Sequence, residues 1–272
     1  MTAGTGVGRL RTGRRLRGAV EGWLPALAVF VGFLVVWEVI VRAFQIKQFI
    51  LPSPVAIGIA WQEYLPELVP AARHTFVEII LGLIVGCVAG LIAGGATARY
   101  ATVRESLMPF AIAANSIPIL AFAPIFNNWF GVDNQLSKAM VAAALCFFPV
   151  MINTVRGLTS VSPAVLELMR SYAAPDRDVF RRVRIPTALP FIFTALRLAT
   201  TLATIGAIIA EYFAAPRSSL GQYIATHSSF LQFERSWSAI VFATAIGIGL
   251  YLLVALAERL IMPWHGQRME RT

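Results

Sequence analysis

SPAVLELMRSYAAPDRDVFRRVRIPTALPFIFTALR, the stretch from Ser162 to Arg197, is a polar, charge-rich segment set between two strongly apolar runs deep inside the chain. Ser162-Pro163 reads as a helix start, with a capping hydroxyl followed by proline at the first helical position. Val165, Leu168, Met169 and Tyr172 then recur at i, i+3, i+4 and i+7, which makes one face of a short helix apolar. Glu167, Arg170 and Ser171 fall on the other side. Pro175 stops this helix, and Asp176 is placed to cap a second turn carrying Val179, Phe180 and Val183. Ile185-Pro186 and Leu189-Pro190 lead into the next apolar run. A short amphipathic helix held at a membrane surface between two spans suits docking against a soluble partner.

The surrounding composition calls for a bilayer. At 272 residues, 57% hydrophobic and with a mean hydropathy of +0.70, the chain is too apolar for a soluble domain of its size. Several runs of eighteen or more residues carry almost no charge, and their backbone groups must be satisfied internally, so they read as helices. Expected spans cover about 23–43, 76–96, 106–126, 136–155, 187–212 and 238–262. The expected organisation is a basic cytoplasmic arm (1–22), a six-helix membrane domain (23–262) holding a cytoplasmic loop (156–186), and a cytoplasmic tail (263–272). The arm reads as flexible: Gly4, Gly6 and Gly8 lack the flanking strand and helix of a nucleotide site. Ala43 to Arg73 reads as a connector, with an extended turn at Leu51-Pro52-Ser53-Pro54.

Within the spans, Gly82, Gly86, Gly90 and Gly94 fall at a four-residue interval, which puts bare backbone on one stripe for close helix packing. Pro109, Pro118 and Pro124 interrupt the third span, whose Asn115 and Ser116 either line a polar pathway or bond between helices. Asn127, Asn128, Trp129, Phe130, Gly131 and Asp133 read as the next loop, with Asn127 and Asn128 as further pathway candidates. Glu211 reads either as a solute or gate contact or as a solvated interfacial carboxylate; its place at a span end favours the second. Cys87 and Cys146 sit in apolar runs and read as free packing thiols.

The net charge of +9 and pI near 10.4 raise the question of nucleic acid, and the distribution of the charges answers it. Counted over the expected loops, sixteen Lys and Arg fall on the side of the two termini and the 156–186 loop, against six on the other, with Arg197 inside the fifth span. The positive-inside rule therefore puts both termini and that loop in the cytoplasm. The basic pI needs no nucleic acid.

The 162–197 segment resembles the signature loop of the inner-membrane permease subunits of binding-protein-dependent ABC importers. That loop reads Glu-Ala-Ala, three residues, Gly, nine residues, Ile-x-Leu-Pro. Here Glu167 holds the Glu position, Ala173 stands where the Gly belongs, and Val183-Arg184-Ile185-Pro186 closes the motif at the same distance. Leu168 and Met169 replace the two alanines. With Ala173 in place of glycine, the turn after the helix is expected to form without positive-φ freedom. Leu51-Pro52-Ser53-Pro54, His74-Thr75, Trp129-Phe130-Gly131, Phe148-Pro149, Asn153-Thr154 and Ala210-Glu211 resemble the nitrate, sulfonate and taurine branch, which has pyrimidine-precursor and riboflavin relatives.

The resemblance implies an all-α, polytopic permease of the type I importer kind in a bacterial inner membrane. Glu167, Arg170, Ser171, Ala173, Ala174 and Pro186 would form its ATPase-docking loop. It also implies a cytosolic ATP-binding subunit dimer, an extracytoplasmic solute-binding protein and a second permease chain, a homodimer being simpler than a paralogous pair. The chain itself has no Gly-x-x-x-x-Gly-Lys-Ser/Thr loop and no readable catalytic constellation, so it is expected to be no enzyme and to hold no cofactor, ATP being bound by the partner. The rival from another class is a self-contained secondary transporter, which calls for carboxylates embedded in the membrane. Glu38, Glu78 and Glu211 lie only near span ends.

Overall fold

The computed structural model describes residues 7–213 and 218–263, and among them it contains helices and no strand. In chain order these are α1 (Val7–Ala43), α2 (Pro54–Glu63), α3 (Leu65–Arg99), α4 (Ala101–Ala114), α5 (Ala123–Phe130), α6 (Gln135–Thr159), α7 (Pro163–Ser171), α8 (Asp176–Val179), α9 (Ile185–Phe213), α10 (Leu220–Ser229) and α11 (Phe233–Ile261). A 3-10 turn at Ile119–Phe122 precedes α5, and a π-helical turn at Phe180–Arg184 joins α8 to α9. Five stretches among the described residues are long and apolar enough to cross a bilayer: Leu24–Ala43, Leu65–Arg99, Gln135–Thr159, Asp176–Phe213 and Phe233–Ile261. The all-α, polytopic membrane architecture is therefore as expected.

The expected third span differs. Residues 106–126 do not form one helix: α4 ends at Ala114, the chain turns through Asn115 to Pro118, and α5 starts afresh at Ala123. Proline explains the break. Pro118 has no N–H to donate and drives Ile117 out of the helical region, whereas Pro109 is carried inside α4 and Pro124 sits harmlessly in the first turn of α5. Asn127 to Phe130, expected as loop, are the last turns of α5, which stops at Gly131 with φ +94°. α1 starts at Val7, so its backbone is helical through most of the segment expected as a flexible arm. Residues 1–6 of that arm, and the tail from residue 264, lie outside the described residues.

The core is a three-helix contact in which α3 packs on α6 and α6 on α9. The glycine stripe makes it possible. A Cβ at Gly82 would stand 2.5 Å from that of Ala142, and one at Gly94 would stand 2.7 Å from that of Thr154. In a bilayer this close packing, not the exclusion of water, holds helices together. Ala195, Ala199, Ala203 and Ala207 form the corresponding small-residue stripe on α9, each fully buried. Cys87 and Cys146 lie in the same core as buried free thiols.

α1 lies at the margin, with Trp37 packed edge-on to Trp237 at 5.3 Å and its apolar residues from Leu24 to Ile40 mostly exposed. A peripheral helix apolar on its outer surface is what lipid requires. At the far end of α1, Arg42 and Glu38, four residues apart, form a local ion pair at 2.6 Å. Glu38 also accepts from the Val55 N–H at 3.2 Å, which ties α1 to the start of α2.

Candidate functional site

The segment between α6 and α9 stands out from the bundle. α7 has no buried residue; Leu168 is 54% and Tyr172 75% exposed, so the apolar face read from the sequence is presented outward. Ser162 occupies the N-cap and Pro163 the first helical position, as expected, but the Ser162 hydroxyl makes no capping hydrogen bond. Asp176 is not a cap either: Pro175 holds the N-cap of α8 and Asp176 lies in its first turn, where a carboxylate meets the positive end of the helix dipole.

The exit from α7 corrects the expectation for Ala173. This alanine does take a positive φ, +50°, in the position glycine holds in the signature. The Ala174 N–H reaches the Met169 carbonyl at 3.0 Å and the Ala173 N–H reaches Arg170 at 2.9 Å, the paired bonds of a Schellman cap. Four orphan carbonyls at a helix end need partners, and closing these bonds outweighs the roughly 1 kcal/mol that a left-handed alanine costs. Ser171 hydroxyl donates to the Leu168 carbonyl at 2.7 Å, which tightens the same turn.

Beyond it, Val179 and Phe180 face Ala98 and Leu158 across a cleft of about 170 Å³ that Arg99, Asp176 and Arg184 also line. Pro186, half-buried, opens α9, and two residues later Ala188 packs on Gly157, where any Cβ would come within 2.9 Å of the Ala188 backbone. α7 is thus carried on a short, stiff arm rooted where α6 and α9 touch. Farther along α9, Arg197 pairs with Glu258 of α11 at 3.3 Å.

The residues singled out for a pathway do not form one set. Asn115 and Ser116 are exposed in the break after α4, and Asn128 is exposed on α5, whereas Asn127 is buried one position away. Glu211 overturns its reading as a solvated carboxylate: it has no exposure at all. Its Oε2 accepts from Thr75 Oγ1 at 3.0 Å and from the Gly221 N–H at 2.8 Å, and Thr75 Oγ1 in turn accepts from the Leu220 N–H at 3.0 Å. Glu78 and Lys138, both fully buried, and His74 complete a polar cluster at the end of the bundle away from α7. Lys138 donates to the Val132 carbonyl.

Sequence reasoning placed Glu78 near a span end, counted Lys138 among the six loop charges opposite the termini, and used His74 as one half of a dipeptide match. The usable signal was the i, i+4 spacing of His74 and Glu78, with two charges inside otherwise apolar helices. Close by, Tyr223 on α10 donates to Glu67 at 3.2 Å; burial, and then the neighbouring carboxylate, push its phenol above the usual tyrosine range.

The model of the family described as binding-protein-dependent transport system inner membrane component matches residues 82–271, from the glycine stripe through the protruding α7 to the end of α11. The chain belongs to that family. Among similar permeases, the formylaminopyrimidine transport permease protein ThiX of Halalkalibacterium halodurans is 31% identical over 241 residues, 86% of this chain and 93% of its own length. The riboflavin transport system permease protein RibX of Chloroflexus aurantiacus is 31% identical over 271 residues, covering 93% and 96%. The aliphatic sulfonates permease SsuC of Bacillus subtilis is 28% identical over 245 residues, covering 89% and 88%. The chain is therefore a multi-pass permease subunit of an ABC-type import system, and the two ends of its bundle differ: one carries α7, the other the buried polar cluster.

Proposed function

We propose that this permease passes a small polar solute, handed over by an extracytoplasmic binding protein, across a bacterial inner membrane, and that a separate cytosolic ATPase drives it by gripping α7. The observation that carries this reading is the outward-facing apolar side of α7 on an arm rooted in the α6–α9 contact. A partner that moves α7 moves the core helices with it, the rigid-body switching on which alternating access depends. Glu167, Arg170, Ser171, Ala173, Ala174 and Pro186 form the docking segment in this reading, and ATP is held by the partner alone.

The positive charge on the α7 side supports a cytoplasmic position for that side and both termini in this reading, with α4, its break and α5 together making a sixth, interrupted crossing. One chain offers one docking helix and an ATP-sandwich engine has two subunits, so two permease chains work together. The substrate reading leans to a small, neutral, nitrogen-rich solute, in keeping with relatives named for formylaminopyrimidine and riboflavin. Sulfonates, taurine and nitrate are the alternatives that other relatives' names supply.

The test is reconstitution with the neighbouring ATPase and binding protein. The chain alone should hydrolyse no ATP, and Glu167→Lys should lower solute uptake per ATP hydrolysed while leaving insertion intact. Wild-type coupling in that variant would reduce Glu167 to a solvated surface residue. Titration of the purified binding protein decides the solute: tight binding of sulfonates or nitrate, and none of heterocycles, overturns the substrate reading.

A further inference from the structure

We propose that His74, Glu78 and Glu211 form a binding site for one divalent metal ion of the zinc class, which ties α3 to α9 at the end of the bundle away from α7. His74 and Glu78 stand four residues apart on α3 and so share a face, and Glu211 meets them from α9. One ligand atom from each lies within 4.8 Å of the others. The buried polar atoms without a hydrogen-bond partner among the described residues include His74 Nδ1, both Glu78 carboxylate oxygens and Glu211 Oε1. Four such atoms on three neighbouring side chains face the same small volume.

The satisfied half of Glu211 explains the orientation of the other half. Thr75 and the Gly221 N–H hold Oε2, which fixes the carboxylate and turns Oε1 toward Glu78, the arrangement by which an outer shell aims a metal ligand. Glu78 is fully buried, its Oε1 lies 3.4 Å from His74 Nδ1, and two carboxyl groups in such surroundings call for a metal cation or a proton between them, the imidazole favouring the metal. Lys138 meets only part of that need. One of its N–H donors goes to the Val132 carbonyl, and its single charge is shared among Glu78, Glu211 and Asp133.

The donor set selects the ion. Calcium and magnesium take oxygen ligands, whereas an imidazole nitrogen beside carboxylates suits zinc and its transition-metal neighbours. In a tetrahedral zinc site, bonds of about 2.0–2.1 Å put donors about 3.4 Å apart, so binding draws ligand atoms that lie within 4.8 Å together by up to about 1.4 Å. The bound ion would cross-link α3 and α9 and, through the Glu211 bond to Gly221, fix the start of α10.

The test uses the full-length permease in detergent, stripped with a chelator and titrated with Zn2+, and in parallel with Co2+ as a spectroscopic probe. One Zn2+ per chain should bind, raise the midpoint of thermal unfolding with increasing concentration, and be mirrored by a visible Co2+ absorption band. Glu78→Gln keeps the shape of the buried side chain and removes its charge. It should weaken Zn2+ binding by more than about tenfold, the scale already seen on losing an outer-shell partner, without lowering the stability of the metal-free chain. Lys138→Met removes a repelling charge and should tighten binding. Absence of metal from the wild-type chain across the titration, or equal Zn2+ binding by the wild type and Glu78→Gln, overturns the site. The two carboxyls would then be bridged by a shared proton. Neither result bears on α7 or the transport reading.

Discussion

Gly94 and Gly95 are neighbours on α3 with opposite surroundings, and replacing each with alanine isolates the worth of the α3–α6 contact. A Cβ at Gly94 would stand 2.7 Å from Thr154 Cβ and 2.8 Å from the Met151 carbonyl, whereas one at Gly95 meets nothing within 4 Å. Ordinary contact begins near 3.4 Å, so Gly94→Ala forces α3 and α6 apart by about 0.7 Å locally, and overpacking on this scale costs roughly 1–3 kcal/mol. Both substitutions gain up to about 1 kcal/mol from the better helix propensity of alanine, so their difference reads the clash alone. Gly95→Ala should be neutral or stabilised. Gly94→Ala should fall below it by on the order of 2 kcal/mol, roughly a thirtyfold change in the unfolding equilibrium. Reversible unfolding in mixed detergent micelles measures both. Equal stability of the two variants would refute the idea that bare backbone on this stripe sets the helix spacing.

Ala173→Gly should relieve the left-handed strain after α7, stabilising that turn by roughly 1 kcal/mol; slower exchange of the Ala174 amide, which bonds to the Met169 carbonyl, is the readout, and unchanged or faster exchange counts against the strain. Tyr223→Phe removes the bond to Glu67. The folded chain favours the neutral phenol, so the contribution of this group is complete below the ordinary tyrosine pKa of about 10 and is lost only as pH rises through the elevated value. The destabilisation, about 1 kcal/mol, should therefore be the same at pH 7 and pH 9, and its disappearance at pH 9 would contradict the raised phenol.

What the chain revealed in one dimension was whatever depends on local pattern. The apolar face of α7 follows from Val165, Leu168, Met169 and Tyr172, and a close helix contact from a four-residue glycine spacing, although not that its partner is α6. The helical break near Pro118 was hinted at by three prolines, yet hydropathy still read one span, because averaging over a window ignores a missing N–H. Ala173 was misjudged for a different reason. The residue type disfavours a positive φ, but the need to satisfy the last carbonyls of α7 decides the conformation. Glu211 was illegible because its partners, Thr75 and Gly221, are respectively 136 and 10 residues away, and burial near a span end is settled by what packs over it. Lys138 was counted as a loop-side charge for the same reason, and is fully buried.

Docking through α7 is tested most directly by retention of the ATP-binding subunit on tagged permease, wild type against Leu168→Asp. Leu168 is more than half exposed and α7 buries nothing, so the substitution leaves the bundle's own packing untouched. The wild-type chain should hold the ATP-binding subunit through purification, and Leu168→Asp should lose it while unfolding at the same temperature as the wild type. Equal retention by the two chains, at equal stability, would contradict docking through this face.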